Sequence, residues 1–328
     1  MAGDTPILIV LTPVRNEAWI LDKFLQAVSL WADYIIISDQ MSSDGSREIA
    51  KRFPKVRLLE NNSREMHMAA TRRLLLEEAN RILGDKILFA LDADEFLAGN
   101  FMDTDDWKTI LSSEVGDIFC WRWMNLLPGC SKYTSWQPYY WASHVGDEAD
   151  GFFPDNYIHE QRLPMPETVH HEYVLDELFS LHFARVNIAR QRNKEIYYQV
   201  TTLTKQPDDS GIRLFRMYHT SENAMIRHKV DDRAFSYYRD NNIDLRELAY
   251  SNDCGQYYLD EIARLVKENG SVRYRKLDIW TEDLCSSLGV ENPQRITDRV
   301  IMWYLRHTKN SAGTFMARAM DKLLKTVY

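Results

Sequence analysis

Short apolar runs alternate with helical patterns through the first 120 residues. Ile7–Leu11 is a β-branched apolar run ended by Thr12-Pro13. Trp19–Trp31 follows, with Ile20, Phe24, Ala27, Val28 and Trp31 at the spacing of one helix face. Tyr34–Ile37 is a second apolar run, and Asp39–Gly45 a polar loop. Ser43-Asp44 predicts the cap of a helix that Pro54 stops after Phe53. Val56–Leu59 reads as a third strand, Met68–Leu83 as a helix closed by Gly84, and Lys86–Leu91 as a fourth strand. A helix around Asp105–Ser113 precedes a fifth strand, Asp117–Trp123. Continuous apolar strands separated by helices predict an α/β fold, a mostly parallel sheet covered on both faces.

Beyond Trp121 the pattern loosens. Trp121, Trp123, Tyr133, Trp136, Tyr139, Tyr140, Trp141, Phe152, Phe153 and Tyr157 lie among Gly and Pro, which predicts loops and short strands. Phe179–Phe183 reads as a further strand and Asn187–Leu203 as a basic helix. After Pro207–Gly211 the character turns helical, as in Asp231–Arg239, Gln256–Asn269 and Arg295–His307. The expected organisation is a first domain over 1–205, its halves meeting near residue 120, and a mainly helical region over 206–328.

Composition narrows the class of protein. The 328 residues are 45% apolar, enough for a sizeable core, and 48 acidic residues against 40 basic give a net charge of −8. That balance argues against a nucleic-acid partner and against strong membrane attachment. No apolar run approaches the ~20 residues of a transmembrane helix. The start, Met-Ala-Gly-Asp, lacks the basic and apolar stretches of a signal peptide. Cys120, Cys130, Cys254 and Cys285 are widely spaced, the usage of buried free thiols. A cytoplasmic location is the expectation.

Ligands of such sheets sit beyond the carboxyl ends of the strands, where the unusual residues of this chain collect. Strand one ends in Thr12–Glu17, strand two in Ser38–Gly45 and strand four in Asp92-Ala93-Asp94. Two carboxylates leaving a buried strand are costly to desolvate without a cation or donors. Hard oxygen ligands at that spacing suit Mg²⁺ or Mn²⁺; the alternative is that they cap the next segment. Arg190 and Lys194, with Arg185 and Arg192, make a basic stretch suited to phosphate oxygens, or simply a solvated helix face.

Four motifs, Thr12-Pro-Val-Arg-Asn-Glu17, Ser38-Asp-Gln-Met-Ser-Ser-Asp-Gly-Ser46, Ala70-Thr-Arg-Arg73 and Leu91-Asp-Ala-Asp-Glu95, occur in the order and at about the spacing of one family. Through them the chain resembles a family 2 glycosyltransferase of GT-A fold, clearly over 6–125 and loosely over 150–205. The resemblance implies an inverting, metal-dependent transfer of a sugar from a nucleotide-diphosphate donor (a UDP- or GDP-sugar) to a glycan or other hydroxyl acceptor. It implies a base and ribose pocket from Pro13, Glu17 and Asp39, with Thr12, Arg15 and Ala93 in the same donor-site motifs. Arg72 would reach the base or diphosphate, and Asp92 the ribose and the metal. Asp94 would be the direct metal ligand, with Mn²⁺ or Mg²⁺ as cofactor. Glu17 and Asp39 also fit the ordinary placement of acids at helix N-termini. The family's common acidic pair for the catalytic base is missing. Some branches carry a His-Glu followed by a later strand histidine, which selects Glu160, then Asp155, as base and His182 as a further metal or diphosphate ligand. Gln40-Met41 departs from the family's acid and glycine, and Arg73 from its common Asn. The competing functions are a binding module that has lost transfer, and a nucleotidyltransferase. The latter expects a glycine-rich phosphate loop after strand one, and Thr12–Glu17 contains no glycine.

Overall fold

The computed structural model describes residues 5–65, 67–149, 161–219 and 226–325. They divide into two compact units: Met1–Asn187 with Arg227–Asn252, and Ile188–Ile226 with Asp253–Tyr328.

The first unit is built on a mixed sheet. β1 (Ile7–Val14), β2 (Tyr34–Asp39), β3 (Val56–Glu60) and β4 (Lys86–Ala90) run parallel in the order β3-β2-β1-β4. They are linked by α1 (Ala18–Ser29), α2 (Ser46–Ala50) and α3 (Met68–Ala79). Parallel neighbours need such crossovers, and strands covered on both faces become the near-continuous apolar runs of the sequence. The sheet continues through β6 (Ile118–Leu126), β7 (Lys132–Thr134) and β8 (Tyr139–Val145). Here β8 lies antiparallel between β4 and β6. β5 (Glu95–Leu97) pairs antiparallel with β9 (Glu172–His182), which runs parallel beside β6, and α4 (Asp105–Leu111) follows β5. The α/β class and the mostly parallel central sheet therefore stand, with antiparallel strands added where the aromatic stretch loosened the pattern. Part of that stretch fills the core: Trp121 and Trp141 are fully buried and stacked 5.6 Å apart, and the Trp121 indole donates to Ser180 Oγ at 2.8 Å.

Two elements stop short of their sequence patterns. α2 ends at Ala50 and α3 at Ala79, each followed by turns. Cys120 and Cys130 are buried free thiols, both pushed up to about 11 by burial, whereas Cys254 is exposed.

The segment 227–252 returns to the first unit although its pattern is helical, because it is tied to β5 and β7. β10 (His228–Lys229) pairs with β7, Tyr238 Oη donates to Leu97 O at 2.7 Å, and Gly99 N donates to Ala234 O at 2.6 Å. A Cβ on Gly99 would sit 2.9 Å from that same carbonyl oxygen. Backbone cannot yield there as a side chain can, so Gly99→Ala is expected to cost about 1–3 kcal/mol in chemical denaturation. The unit boundary accordingly falls at Asn187, not near 205, with α7 (Ser236–Asp240) inside the first unit.

The second unit holds α5 (Ile188–Lys205), α6 (Gly211–Tyr218), α8 (Gln256–Asn269), α9 (Glu282–Leu288), α10 (Ile296–Thr308) and α11 (Phe315–Leu324). α5 packs on α8 through Tyr197 and Tyr258, and Ile212 and Phe215 of α6 are buried with Met302 and Leu305 of α10.

Candidate active site

The loops after β1 and β2 are stitched into one wall. Asn16, at φ 54°, accepts from Ser43 N through Oδ1 at 2.8 Å, and its own N–H donates to Ser42 Oγ at 2.9 Å. Glu17 N donates to Ser46 Oγ at 3.0 Å and Ala18 N to Asp44 Oδ2 at 2.8 Å. The serines and Asp44 thus satisfy helix-start donors across chain segments. Gly45, at φ 97°, supplies the left-handed turn that starts α2. Gln40, a departure from the family pattern, has a tethering job: its Nε2 donates to Ser63 O at 2.9 Å and Glu65 O at 2.6 Å.

Behind that wall several buried polar atoms have no protein partner: Thr12 Oγ1 on β1, Ser38 Oγ and Asp39 Oδ1 on β2, and Arg72 Nη1 on α3. Asp39 is 1% exposed. Its Oδ2 accepts from Ser42 N at 3.3 Å and lies 3.7 Å from Arg47 Nε. Burial raises its carboxyl above the ordinary 3.8, outweighing those contacts. Pro13 is half-buried opposite Ser38, Arg15 Nη1 donates to Arg64 O at 3.0 Å, and Glu17 accepts from the Trp19 indole at 2.7 Å.

An ionised, buried carboxylate with an idle oxygen costs stability. Asp39→Asn is therefore expected to stabilise the unliganded protein at neutral pH and to weaken its ligand. The sign follows from the raised carboxyl. In acid both folded and unfolded carboxyls are protonated and the variant gains nothing. As pH rises past 3.8 the unfolded carboxyl ionises first, so the advantage grows until the folded carboxyl ionises, then levels off. Melting temperatures of both proteins across that range check it; an advantage that shrinks toward neutral pH would contradict it.

The acidic run after β4 separates into distinct environments. Asp92 lies between two guanidiniums, with Arg72 Nη2 at 2.6 Å on Oδ1 and Arg162 Nη2 at 3.0 Å on Oδ2. Expected on the sequence to share the metal, Asp92 is instead neutralised by internal bases. Ala93 points into the core at 2% exposure, which leaves it no ligand-facing side chain. Glu95, fully buried, is saturated. Oε1 accepts from the Trp123 indole at 2.8 Å and Arg162 Nη2 at 2.9 Å; Oε2 accepts from Asp92 N at 2.8 Å and from Arg162 Nη1. Arg162 also covers Trp141 at 4.8 Å, Trp123 at 5.5 Å and Tyr139 at 5.7 Å from their ring centres. Burial alone would lower this guanidinium, but Asp92 and Glu95 hold it above its ordinary value.

Asp94 is different. Its Oδ2 faces His182 Nε2 at 3.7 Å, and β5–β9 pairing sets His182 directly opposite Glu95. His182 Nδ1 meets Asn125 Oδ1 at 2.7 Å and the ring stacks on Trp123. A carbonyl oxygen accepts, so Nδ1 donates and Nε2 is the ring nitrogen that faces Asp94. Asp94, Glu95 and His182 are the one group among the described residues with His, Cys or acid donors gathered within 4.8 Å. The acceptor sites of Glu95 are filled, so within this group Asp94 and His182 are the candidate ion ligands. Mg²⁺ and Mn²⁺ bind through one or two protein ligands plus phosphate oxygens and water, so the donor set fits.

The sequence carries no signal for Arg162 or Asn125, its aromatic density reads Trp123 as core, and Glu95 only closes a motif. Arg190, on α5 in the second unit, is committed to Asp253 and lies over Tyr258 at 5.3 Å. Lys194 is on the same helix. Glu160 and Asp155 lie outside the described residues.

Against known sequences, residues 9–103 match the model described as "Glycosyl transferase family 2". This segment is similar to family 2 glycosyltransferases. It carries the wall loops, Asp39, Arg72 and the whole acidic run, whereas His182, Arg162 and Asn125 come from chain beyond it. No curated protein matches. Among solved structures, the inositol-1-phosphate CTP transferase from T. maritima matches at 10% identity and TM-score 0.33, over 55% of this chain and 90% of that one. HddC from Yersinia pseudotuberculosis matches at 11% identity and TM-score 0.29, over 54% and 93%. Likenesses at that level carry nothing about the reaction. The family 2 segment itself supports a transferase.

Proposed function

We propose that the family 2 segment and its added strands form an inverting glycosyltransferase site that uses a nucleotide-diphosphate sugar, a UDP- or GDP-sugar, with Mn²⁺ or Mg²⁺. The observation that carries this reading is the set of idle buried polar atoms along one rim, beside a carboxylate facing a bare imidazole nitrogen. Asp39 Oδ1 can accept from a base N–H or ribose hydroxyl, while Thr12 Oγ1 can donate or accept. Arg72, oriented by Asp92, keeps Nη1 to donate toward the diphosphate. Asp94 and His182 would hold the divalent ion, which when bound neutralises charge on the departing diphosphate. Asn125 fixes the His182 tautomer, and Glu95 with Arg162 anchors the turn that presents Asp94. The proton of a glycan hydroxyl would go to Glu160 or Asp155.

The test is thermal stabilisation by UDP, GDP, ADP and CDP, each with and without Mn²⁺. A ligand at a hundred times its Kd raises stability by about 2.7 kcal/mol. One nucleotide is expected to stand out, and Mn²⁺ to enlarge its effect. No response to any nucleotide diphosphate would remove the reading; nucleotide binding without donor turnover would leave a binding module.

A further inference from the structure

The carboxyl-terminal helices carry charge of the opposite sign to the chain. Residues 295–325 hold seven Lys and Arg against two Asp, a local +5 within a total of −8. Both acids are engaged internally: Asp298 pairs with Arg275, and Asp321 with Arg216 at 2.8 and 2.9 Å.

Apolar side chains are exposed beside this charge. On α10, Met302 and Leu305 are buried with α6, whereas Ile296, Val300 and Trp303 are 82%, 59% and 61% exposed. Their i, i+4, i+7 spacing makes one stripe, flanked by exposed Arg299 and by Arg306, which pairs with Asp278. On α11 only Ala317 is fully buried. Phe315 and Met316 are 86% and 82% exposed, with Leu323 and Met320 on the same arc. Exposed Arg318, Lys322 and Lys325, also at i, i+4, i+7, form a separate basic arc.

We propose that this face of α10 and α11 docks the protein on an anionic lipid surface. Phe315, Met316, Leu323 and Trp303 would enter the headgroup boundary while Arg318, Lys322 and Lys325 meet lipid phosphates. An exposed surface divided into an apolar arc with aromatic and Met side chains and a basic arc is the pattern of helices lying in the membrane interface. A second copy would set like charges against each other at the rim. No helix among the described residues is long and apolar enough to cross a membrane, so the attachment is peripheral. The acidic composition pointed against membrane attachment, but the average hides this segregation. The proposal is independent of the transferase reading.

Co-sedimentation of the full chain with vesicles tests it, comparing phosphatidylcholine alone with phosphatidylcholine containing about 30% phosphatidylglycerol. Binding to the anionic vesicles only, weakened by salt, is expected. The triple change Arg318→Gln, Lys322→Gln, Lys325→Gln should lower partitioning on the order of a hundredfold. Phe315→Ser with Met316→Ser should lower it comparably, with unchanged circular dichroism and melting. Trp303→Ser on the other helix gives an independent readout should that pair unfold. No binding to anionic vesicles at low salt, or equal binding by wild type and variants, overturns the proposal. So does a dimer in light scattering that Phe315→Ser and Met316→Ser abolish, without any vesicle binding.

Discussion

Asp94→Ala is expected to abolish the metal-dependent part of nucleotide-diphosphate binding and to lower sugar transfer on the order of a thousandfold or more. The fold should survive. Asp94 holds Phe183 through its backbone carbonyl, at 2.9 Å, and alanine keeps that bond. An unliganded circular dichroism spectrum like that of wild type is the expected control. The nucleotide alone should still bind through the Asp39 and Arg72 side of the rim, so the variant loses only the increment that Mn²⁺ adds. Asn125→Leu is the milder companion. It removes the acceptor that orients His182, and loss of such a partner typically costs about 10–100-fold in metal affinity. A full Mn²⁺ response in Asp94→Ala would rule this residue out as a ligand.

The fold was legible where one periodicity held. From Ile7 to Ala90 the apolar runs and helix spacings match the parallel strands and crossovers to within a few residues, because strands buried on both faces tolerate little else. Legibility fell where strands pair antiparallel and aromatics fill both core and site. Trp121 and Trp123 differ by two positions, yet one is sealed in the core and the other binds Glu95 and stacks on His182. The acidic run was legible as chemistry but not as geometry. Asp92, Asp94 and Glu95 are indistinguishable as letters. Their roles are set by Arg72, Arg162, Trp123, Asn125 and His182, which lie 20 to 90 residues away in sequence; β5–β9 and β6–β9 pairing brings in His182, Asn125 and Trp123, while Arg72 comes from α3. The return of 227–252 was equally invisible, since a two-residue strand and a glycine–carbonyl contact leave no periodic signal.

Arg162 offers the sharpest structural test, because one side chain neutralises two carboxylates in a nearly dry site. Arg162→Met fills similar space but strands Glu95, which is fully buried, and takes one of two guanidiniums from Asp92. Removing one member of a buried ion pair costs about 3–5 kcal/mol, most of it the penalty of the charge left behind. If so, neutralising that charge should restore much of the loss: Glu95→Gln combined with Arg162→Met is expected to be more stable than Arg162→Met alone. The amide's single oxygen can accept from the Trp123 indole or from Asp92 N, which bind different oxygens of Glu95, so one of the two bonds is given up. Arg162→Lys should fall between, since an ammonium keeps the charge but cannot make the two-pronged contact with Glu95 or span to Asp92. Chemical denaturation of wild type, Arg162→Met, Glu95→Gln and the double variant closes a double-mutant cycle. A strongly favourable coupling supports a turn locked by Glu95 and Arg162, with Asp94 held out toward the ion as a consequence. Additive losses would mean that Glu95 is sheltered by other donors, and that Arg162 serves Asp92 instead.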